Sequence, residues 1–426
     1  MTNSPKYLVI SFGTAGDMHP FLSLTKFLQS RGEDVTFMGF KAHEAMVLPL
    51  GIPFVPVGTN EDYFRVMRDP DLWHPRRGFA TLFKHMGQDT QSMRDIADYF
   101  QSLASDQALV VLAHPFAIPS SALFRQHLPL MRLVAVYLAP SNFRTVYNPL
   151  TLGELTVPRW LPHFVRRWMW RLVERFYIDP TAVPPLNTWR AQYGLPAIPQ
   201  YMDHIYTEPD ASVALFPAWF GKPQPDWPSP LLMGTFPLFE PDQNAQFSPE
   251  LSQFLQASLQ SNDRPIVFAP GSAHAQAASY FAKALKVVER LGLRAIFLTP
   301  YAEQLPKSLP ASVLWQSYVP FDALLPKVRA LVHHGGIGTT AQALRAGVPQ
   351  LVVPFAFDQF DNAARVEALG CGLASLAEPR ASVFYLARKI KRLLTSEAIE
   401  MQCKATAARF IKEPTMDALC NRISKL

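Results

Sequence analysis

The sequence predicts an α/β protein built from two doubly wound parallel-sheet domains, and three observations carry that expectation. The chain has 426 residues, too many for one ordinary hydrophobic core, so two domains of about two hundred residues each are expected. Short apolar runs alternate with helical stretches along the whole length without a long structureless gap, the pattern of parallel sheets. Glycine-containing loops follow three of those runs, near residues 13, 271 and 335, where such sheets place their ligand ends. The composition, 49% hydrophobic and 17% charged, is that of a folded chain rather than a disordered one.

In order, residues 7–12 form an apolar run that reads as a buried strand, and residues 13–20 are its loop. Residues 21–31 put Phe21, Leu24, Phe27 and Leu28 on one helical face and stop at Gly32. Residues 35–40 are the second strand. A nicotinamide dinucleotide site is not expected here. Gly-x-Gly-x-x-Gly is missing, and Phe40-Lys41 stands where an acidic residue would end the second strand. Asp17 and His19 are the acid–base candidates of the loop. A base has to reach the reacting oxygen at about 2.6–3.2 Å. An aspartate of ordinary pKa, about 4, has to act on developing charge or be raised by burial, whereas His19 has the better intrinsic value. Asp17 could equally serve as a helix cap.

Residues 51–57 are a third strand, 62–78 a loop rich in Arg, Asp and Pro, and 81–104 mostly helical. Residues 108–112 and 133–137 are two more buried strands. Residues 160–176 place Leu161, Phe164, Val165, Trp168, Leu172 and Phe176 on one helical face, with Arg166, Arg167, Arg171 and Arg175 elsewhere and Trp170 among them. Aromatic residues beside arginines suit a membrane interface or a lipidic ligand; the competing expectation is a core-packed helix with a solvated basic face. Residues 211–216 close the first domain. Six prolines follow, at 217, 223, 225, 228, 230 and 237, and read as a semi-rigid connector. The expected organisation is therefore 1–220, a linker at 221–235, and 236–426.

Residues 265–269 open the second domain, with Gly271 and Ser272 in the loop behind them and a helix at 277–291. Strands are expected at 295–299 and from 313. Residues 382–426 are helical and basic. The most informative stretch is 331–362, LVHHGGIGTTAQALRAGVPQLVVPFAFDQFDN. Gly335, Gly336 and Gly338 let backbone approach a ligand. The helix that follows starts with unpaired N–H groups and a partial positive charge of about half a unit, which suits a phosphate. Thr339 and Thr340 can cap that helix or donate to phosphate oxygens, and His333 can donate from the strand end. Asp358 and Gln359 set a carboxylate beside an amide, able to accept from and donate to sugar hydroxyls.

Taken in order, His333-His334-Gly335-Gly336, Gly338-Thr339-Thr340, Ala346-Gly347-Val348-Pro349, Asp358-Gln359 and Asn362 resemble the donor-binding signature of the family 1 glycosyltransferases. The bacterial sterol and antibiotic glucosyltransferases resemble this version more than the plant enzymes do. Leu215-Phe216-Pro217-Ala218-Trp219-Phe220, Asp226-Trp227-Pro228 and 358–362 are similar to the rhamnosyltransferases of rhamnolipid synthesis. The resemblance implies a GT-B fold, two Rossmann-like domains with the active site in the cleft between them. It implies a nucleotide-sugar donor as substrate (dTDP-rhamnose or UDP-glucose) and no cofactor. It also implies inverting transfer to a hydroxyl of a hydrophobic acceptor, either a 3-hydroxyacyl lipid or a sterol or polyketide-like alcohol.

By the same resemblance Asp17 stands at the base position, where plant members carry histidine. The partner carboxylate of the plant enzymes has no counterpart in residues 110–115. Gly271 and Ser272 lie beside the donor diphosphate. The nucleotide base is read near Val319, with Trp315 or Tyr318 as a stacking face or as packing. Phe321 replaces the usual glutamine after the proline. Phe116, Phe143, Phe164 and Trp168 are the candidate acceptor-binding residues. A GT-B shell that binds lipid or a partner without turnover, and a sugar epimerase, are the competing readings.

The net charge of +6 suits phosphorylated ligands or an anionic membrane surface, and no base-reading motif accompanies it, so nucleic acid is not expected. Three cysteines without metal-ligand spacing, and no Asp-x-Asp, give no expectation of a metal. The first six residues are polar and no run of eighteen apolar residues occurs, so neither a secretory leader nor a membrane span is expected. A cytoplasmic location is expected, with peripheral contact to the inner membrane face through residues 160–176 left open.

Overall fold

A computed structural model of the chain describes residues 5–74, 77–148, 151–152, 155–158, 160–239, 246–261, 263–271, 277–412 and 415–426. The chain divides into two compact units, Met1–Pro237 with Pro414–Leu426, and Leu238–Glu413.

Unit 1 is built on a seven-stranded parallel sheet among the described residues. Its strands are β1 (Lys6–Ile10), β2 (Val35–Phe40), β3 (Phe54–Val57), β4 (Leu109–Ala113), β5 (Met131–Tyr137), β6 (Ala211–Ala214) and β7 (Leu231–Met233), in the order β3-β2-β1-β4-β5-β6-β7. Leu8, Val9, Val111, Leu112 and Leu133 are fully buried. Continuous apolar runs rather than alternation are the mark of a sheet covered on both faces. The order reverses between β1 and β4, where Ile10 pairs with Ala113 and the His114 N–H donates to the Ile10 carbonyl. In open α/β sheets ligands bind beyond the strand C-termini at such a switch point.

Helix α1 runs Ala15–Ser30, so it begins at Ala15 rather than Phe21 and contains Asp17 and His19. Thr14 is the N-cap and Asp17 closes a capping box with it, while Pro20 lies inside the helix without ending it. Part of the expected 62–78 loop is likewise helical, Asn60–Met67, capped by Thr59.

The proline-rich stretch is not a connector. Asp226 accepts from Thr145 Oγ1 at 2.6 Å and from the Val146 N–H at 2.7 Å. Trp227 stacks on Phe143 at 4.2 Å between centroids, and Leu231–Met233 pairs with β6 as the seventh strand. Six prolines around a three-residue strand erase the periodicity by which it could be recognised. The last helix, Met416–Ile423, packs on unit 1: Arg31 meets Asp417 at 2.6 Å and Asn421 at 2.7 Å, and Arg422 donates to the Met233 carbonyl.

Helix α2 (His163–Val173) continues through a π turn, Glu174–Ile178. Its inward residues are polar. Arg166 donates to the Val146 carbonyl at 2.6 Å, Trp170 Nε1 donates to the Thr145 carbonyl, and buried Glu174 pairs with Arg144 at 2.9 Å. The expected aromatic face is correspondingly turned outward, Phe164 and Trp168 included. Period 3.6 says that two faces differ but not which one is inside; here polar groups with partners take the inside.

Unit 2 carries a six-stranded parallel sheet: β8 (Ile266–Ala269), β9 (Ala295–Leu298), β10 (Val313–Gln316), β11 (Ala330–His333), β12 (Gln350–Val352) and β13 (Gly372–Ala374), in the order β10-β9-β8-β11-β12-β13. Its core joins Val267, Ile296 and Leu331 to Leu251, Leu255, Leu324 and Leu325. Here the reversal lies between β8 and β11, where Ala269 pairs with His333. Helices α3 (Ile337–Ala346) and α4 (Gln359–Ala368) start directly beyond β11 and after β12.

Candidate functional site

In unit 1 the strand-end loop after β1 shapes the surroundings of Asp17. Gly13 has φ +141°, and a Cβ there would fall 2.3 Å from Asp17 Oδ2, so only glycine lets the carboxylate fold back over the loop. Oδ2 accepts from the Thr14 N–H at 2.8 Å and from Thr14 Oγ1 at 3.1 Å. Burial pushes the Asp17 carboxyl above its ordinary value, and the Thr14 donors pull it partly back. His19 is moved the other way: burial, with His43 nearby, lowers it to about 4. His43 is itself lowered to about 4 by burial and lies 3.3 Å from Tyr63 Oη. Both imidazoles are neutral near pH 7.

Phe116 follows β4 at the same end of the sheet, half-buried against Phe83 and His114. Phe143 does not face a ligand. It is 1% exposed, with Tyr137 on one side at 4.0 Å and Trp227 on the other, so both ring faces are filled. Phe164 and Trp168 lie on the exposed face of α2.

In unit 2 the loops after β8 and β11 meet at a histidine, and it is not the expected one. His333 is 0% exposed. Its Nδ1 accepts from the Gly335 N–H at 3.1 Å, which makes Nε2 the protonated nitrogen and the donor to Gln350 Oε1 at 3.0 Å. Burial, with His334 adjacent, lowers His333 to about 3. Its role in this geometry is to hold the Gly335 loop from beneath. His334 stands between the glycines: a Cβ at Gly336 would lie 2.4 Å from its Nε2, and one at Gly271 3.0 Å from it. Ser272 lies outside the described residues.

Gly336 is the N-cap of α3 and offers no side-chain acceptor, so the first-turn N–H groups of Ile337, Gly338 and Thr339 lack the partner a Ser or Asp cap would supply. A Cβ at Gly338 would meet nothing within 4 Å. A bare, glycine-lined helix start of ten residues can receive an anion on its N–H groups. Thr339 is half-buried at this start, whereas Thr340 is fully buried with its first helical bond going to the Gly336 carbonyl.

The loop after β12 closes on the same glycines. Asn362 Nδ2 donates to the Gly335 carbonyl at 2.8 Å and to Asp358 Oδ2 at 2.8 Å. Gln359 Oε1 accepts from the Phe355 and Ala356 N–H groups, which fixes the turn. Phe357, just before Asp358, holds a left-handed φ of +56°, strained for an aromatic residue. Asn362, His334 and Thr14 are the positioning residues that sequence reasoning passed over. Asn362 and His334 belong to the signature motif, but only contacts show what they hold. Asn362→Ala removes a buried donor from the Gly335 carbonyl and is expected to cost about 1–3 kcal/mol in urea unfolding.

At the end of β10, Trp315 Nε1 donates to the Thr299 carbonyl at 3.0 Å and the residue is about one third exposed; Tyr318 is half exposed, and Val319 is buried.

Two doubly wound parallel-sheet units, each with its glycine loop at the topological switch point, define the GT-B fold. Residues 294–426 match the family model described as the C-terminal domain of erythromycin biosynthesis protein CIII-like proteins. A sterol 3-beta-glucosyltransferase of Pichia angusta is 24% identical over 96% of this chain and 32% of its own length. The O-mycaminosyltylonolide 6-deoxyallosyltransferase of Streptomyces fradiae is 24% identical over 97% of this chain and 95% of its own. Among solved structures, the glycosyltransferase VinC in complex with dTDP superposes with a TM-score of 0.67 at 19% identity, covering 99% of both chains. The chain spans only 9–32% of the length of the sterol glucosyltransferases it matches first. The fold of the chain is GT-B, and its sequence relatives along nearly the whole chain are named glycosyltransferases.

Proposed function

We propose that the protein transfers a hexosyl group from a nucleoside diphosphate sugar to a hydroxyl of a hydrophobic acceptor, by direct displacement with inversion. The observation that carries this reading is the uncapped start of α3, where Gly336, Gly338 and the first-turn N–H groups form a seat for a diphosphate beside His334. Asp358, tied to that seat through Asn362, and the Gln359 amide hold the sugar hydroxyls. Trp315 or Tyr318 offers a face to the nucleotide base. Asp17 takes the acceptor hydroxyl proton, the oxygen attacks the anomeric carbon, and the bond from that carbon to the diphosphate breaks. The N–H groups and helix dipole stabilise the departing charge. The raised Asp17 carboxyl is a better matched base than a histidine lowered to about 4, which favours Asp17 over His19. Phe116, at the same sheet end as Asp17, lines the acceptor side.

The likeness of residues 215–220, 226–228 and 358–362 to rhamnosyltransferases, together with dTDP in VinC, favours dTDP-rhamnose and a 3-hydroxyacyl lipid. The sterol relatives, aligned along nearly the whole chain, support glucosyl transfer to a sterol or polyketide-like alcohol as the second reading.

The test is calorimetric titration with UDP and with dTDP, on the wild type and on Gly336→Ala, whose Cβ would intrude on His334. The expected result is a preference for dTDP and at least a tenfold loss of affinity in the variant. Preference for UDP moves the acceptor search to sterols. Absence of binding to either nucleotide overturns the donor site. Binding without turnover on any hydrophobic alcohol identifies a non-catalytic shell instead.

A further inference from the structure

Helix α2 is built inside out. Its inward stripe is buried Arg166, half-buried Trp170 and, in the π turn, buried Glu174, each bonded to backbone carbonyls or to Arg144. Its outer face carries Phe164, Arg167, Trp168, Arg171 and Arg175 at helical spacing, with Trp160 just ahead of the helix and Phe176 at the edge of the face in the π turn. Trp160 is 80% exposed, Phe164 71%, Trp168 60%, Phe176 63% and Tyr177 67%. Four large exposed aromatic residues along one helical face roughly 20 Å long concentrate apolar surface of the kind that marks a contact surface.

The charges on this stripe have one sign. Arg167, Arg171 and Arg175 are exposed, and the single acid between Trp160 and Ile178 is Glu174, which is buried against Arg144. Arg175 lies over the Phe176 ring at 5.9 Å. The stripe therefore presents tryptophan and phenylalanine rings flanked by exposed arginines along the helix and its π turn. That is the residue set of a helix lying in the plane of a bilayer, rings at headgroup depth and arginines on lipid phosphates. No described helix is long and apolar enough to cross a membrane, so the contact is surface docking.

We infer that α2 and its π turn dock unit 1 onto the surface of an anionic phospholipid bilayer. The complementarity is between three arginines and lipid phosphates, with Trp160, Phe164, Trp168 and Phe176 entering the interfacial zone. Docking requires neither nucleotide nor turnover.

The test is cosedimentation of the full chain with phosphatidylcholine vesicles, with and without phosphatidylglycerol, at about 0.1 M and 1 M salt. Tryptophan emission is read in parallel. Binding is expected only to the anionic vesicles at low salt, with a blue shift. Arg167→Glu/Arg171→Glu is expected to weaken it at least tenfold, each arginine contributing about fivefold. Trp160→Ser/Phe176→Ser is expected to lose most of the blue shift. Nucleotide titration of both variants should match the wild type, which shows that they remain folded. Absence of wild-type binding, equal binding to neutral vesicles, or full binding by the arginine variant overturns the inference. So does a wild-type dimer that both variants dissociate, since the stripe would then be covered by a second copy.

Discussion

Asp17→Asn is expected to lower turnover about 10²–10⁴-fold, the range for losing a positioned general base, while nucleotide binding stays unchanged. The change keeps size and an oxygen for the Thr14 N–H, so the capping box survives. The wild-type rate should fall as the pH falls through the raised Asp17 value, because only the carboxylate takes the proton. Stability carries the opposite sign. A carboxyl whose folded value is raised favours the protonated fold, so its stabilising contribution is present at low pH and lost as pH rises through that value. At pH 7 the ionised Asp17 therefore costs stability, and Asp17→Asn should melt no lower than the wild type. Steady-state kinetics and melting curves at pH 5 and pH 8 check both signs. Retained turnover would move the base to His19; a lower melting temperature would mean that Asp17 serves the fold first.

The second large effect is on the fold of unit 2. Gly335 has φ +96°, and a Cβ there would sit 2.6 Å from Val352 Cγ1 and 3.0 Å from the Gln359 carbonyl. The valine is in a fully buried strand and the carbonyl belongs to the first turn of α4, so neither yields cheaply. Left-handed strain and overpacking together should cost Gly335→Ala about 2–5 kcal/mol. At about 2–4 °C per kcal/mol for a unit of this size, calorimetry should show a melting temperature lower by roughly 5–20 °C. Nucleotide affinity should fall with it, because the Gly335 carbonyl is the anchor for Asn362 and thus for Asp358. An unchanged melting temperature would show that the loop can open without cost.

The glycine positions illustrate what can be read without coordinates. Gly335, Gly336 and Gly338 are visible in the chain as one motif, yet they do three different things. Gly335 makes room for a strand, Gly336 makes room for His334 and leaves a helix uncapped, and Gly338 faces open space. The spacing announces a glycine loop ahead of a helix; which glycine does which depends on the fold around it, down to a strand and a helix further along the chain. His333 and His334 show the same limit. Strand alternation sends one ring into the sheet and the other toward the loops, and a one-residue difference in where β11 ends decides which.

The sequence by itself determined the alternation of strands and helices, the two-unit organisation and the place of the glycine loop after β11, because these rest on local period, glycine and proline placement, and motif order. The tertiary structure alone decided four things. It made the proline-rich stretch a sheet strand, buried His333 under its own loop, filled both faces of Phe143, and turned α2 with its arginine–glutamate stripe inward and its aromatics outward. Each depends on which partner a polar or apolar group finds at long range. A buried arginine beside a backbone carbonyl is stable where the same arginine beside leucine would not be. That pairing is a property of the folded chain and leaves no periodic trace in the sequence.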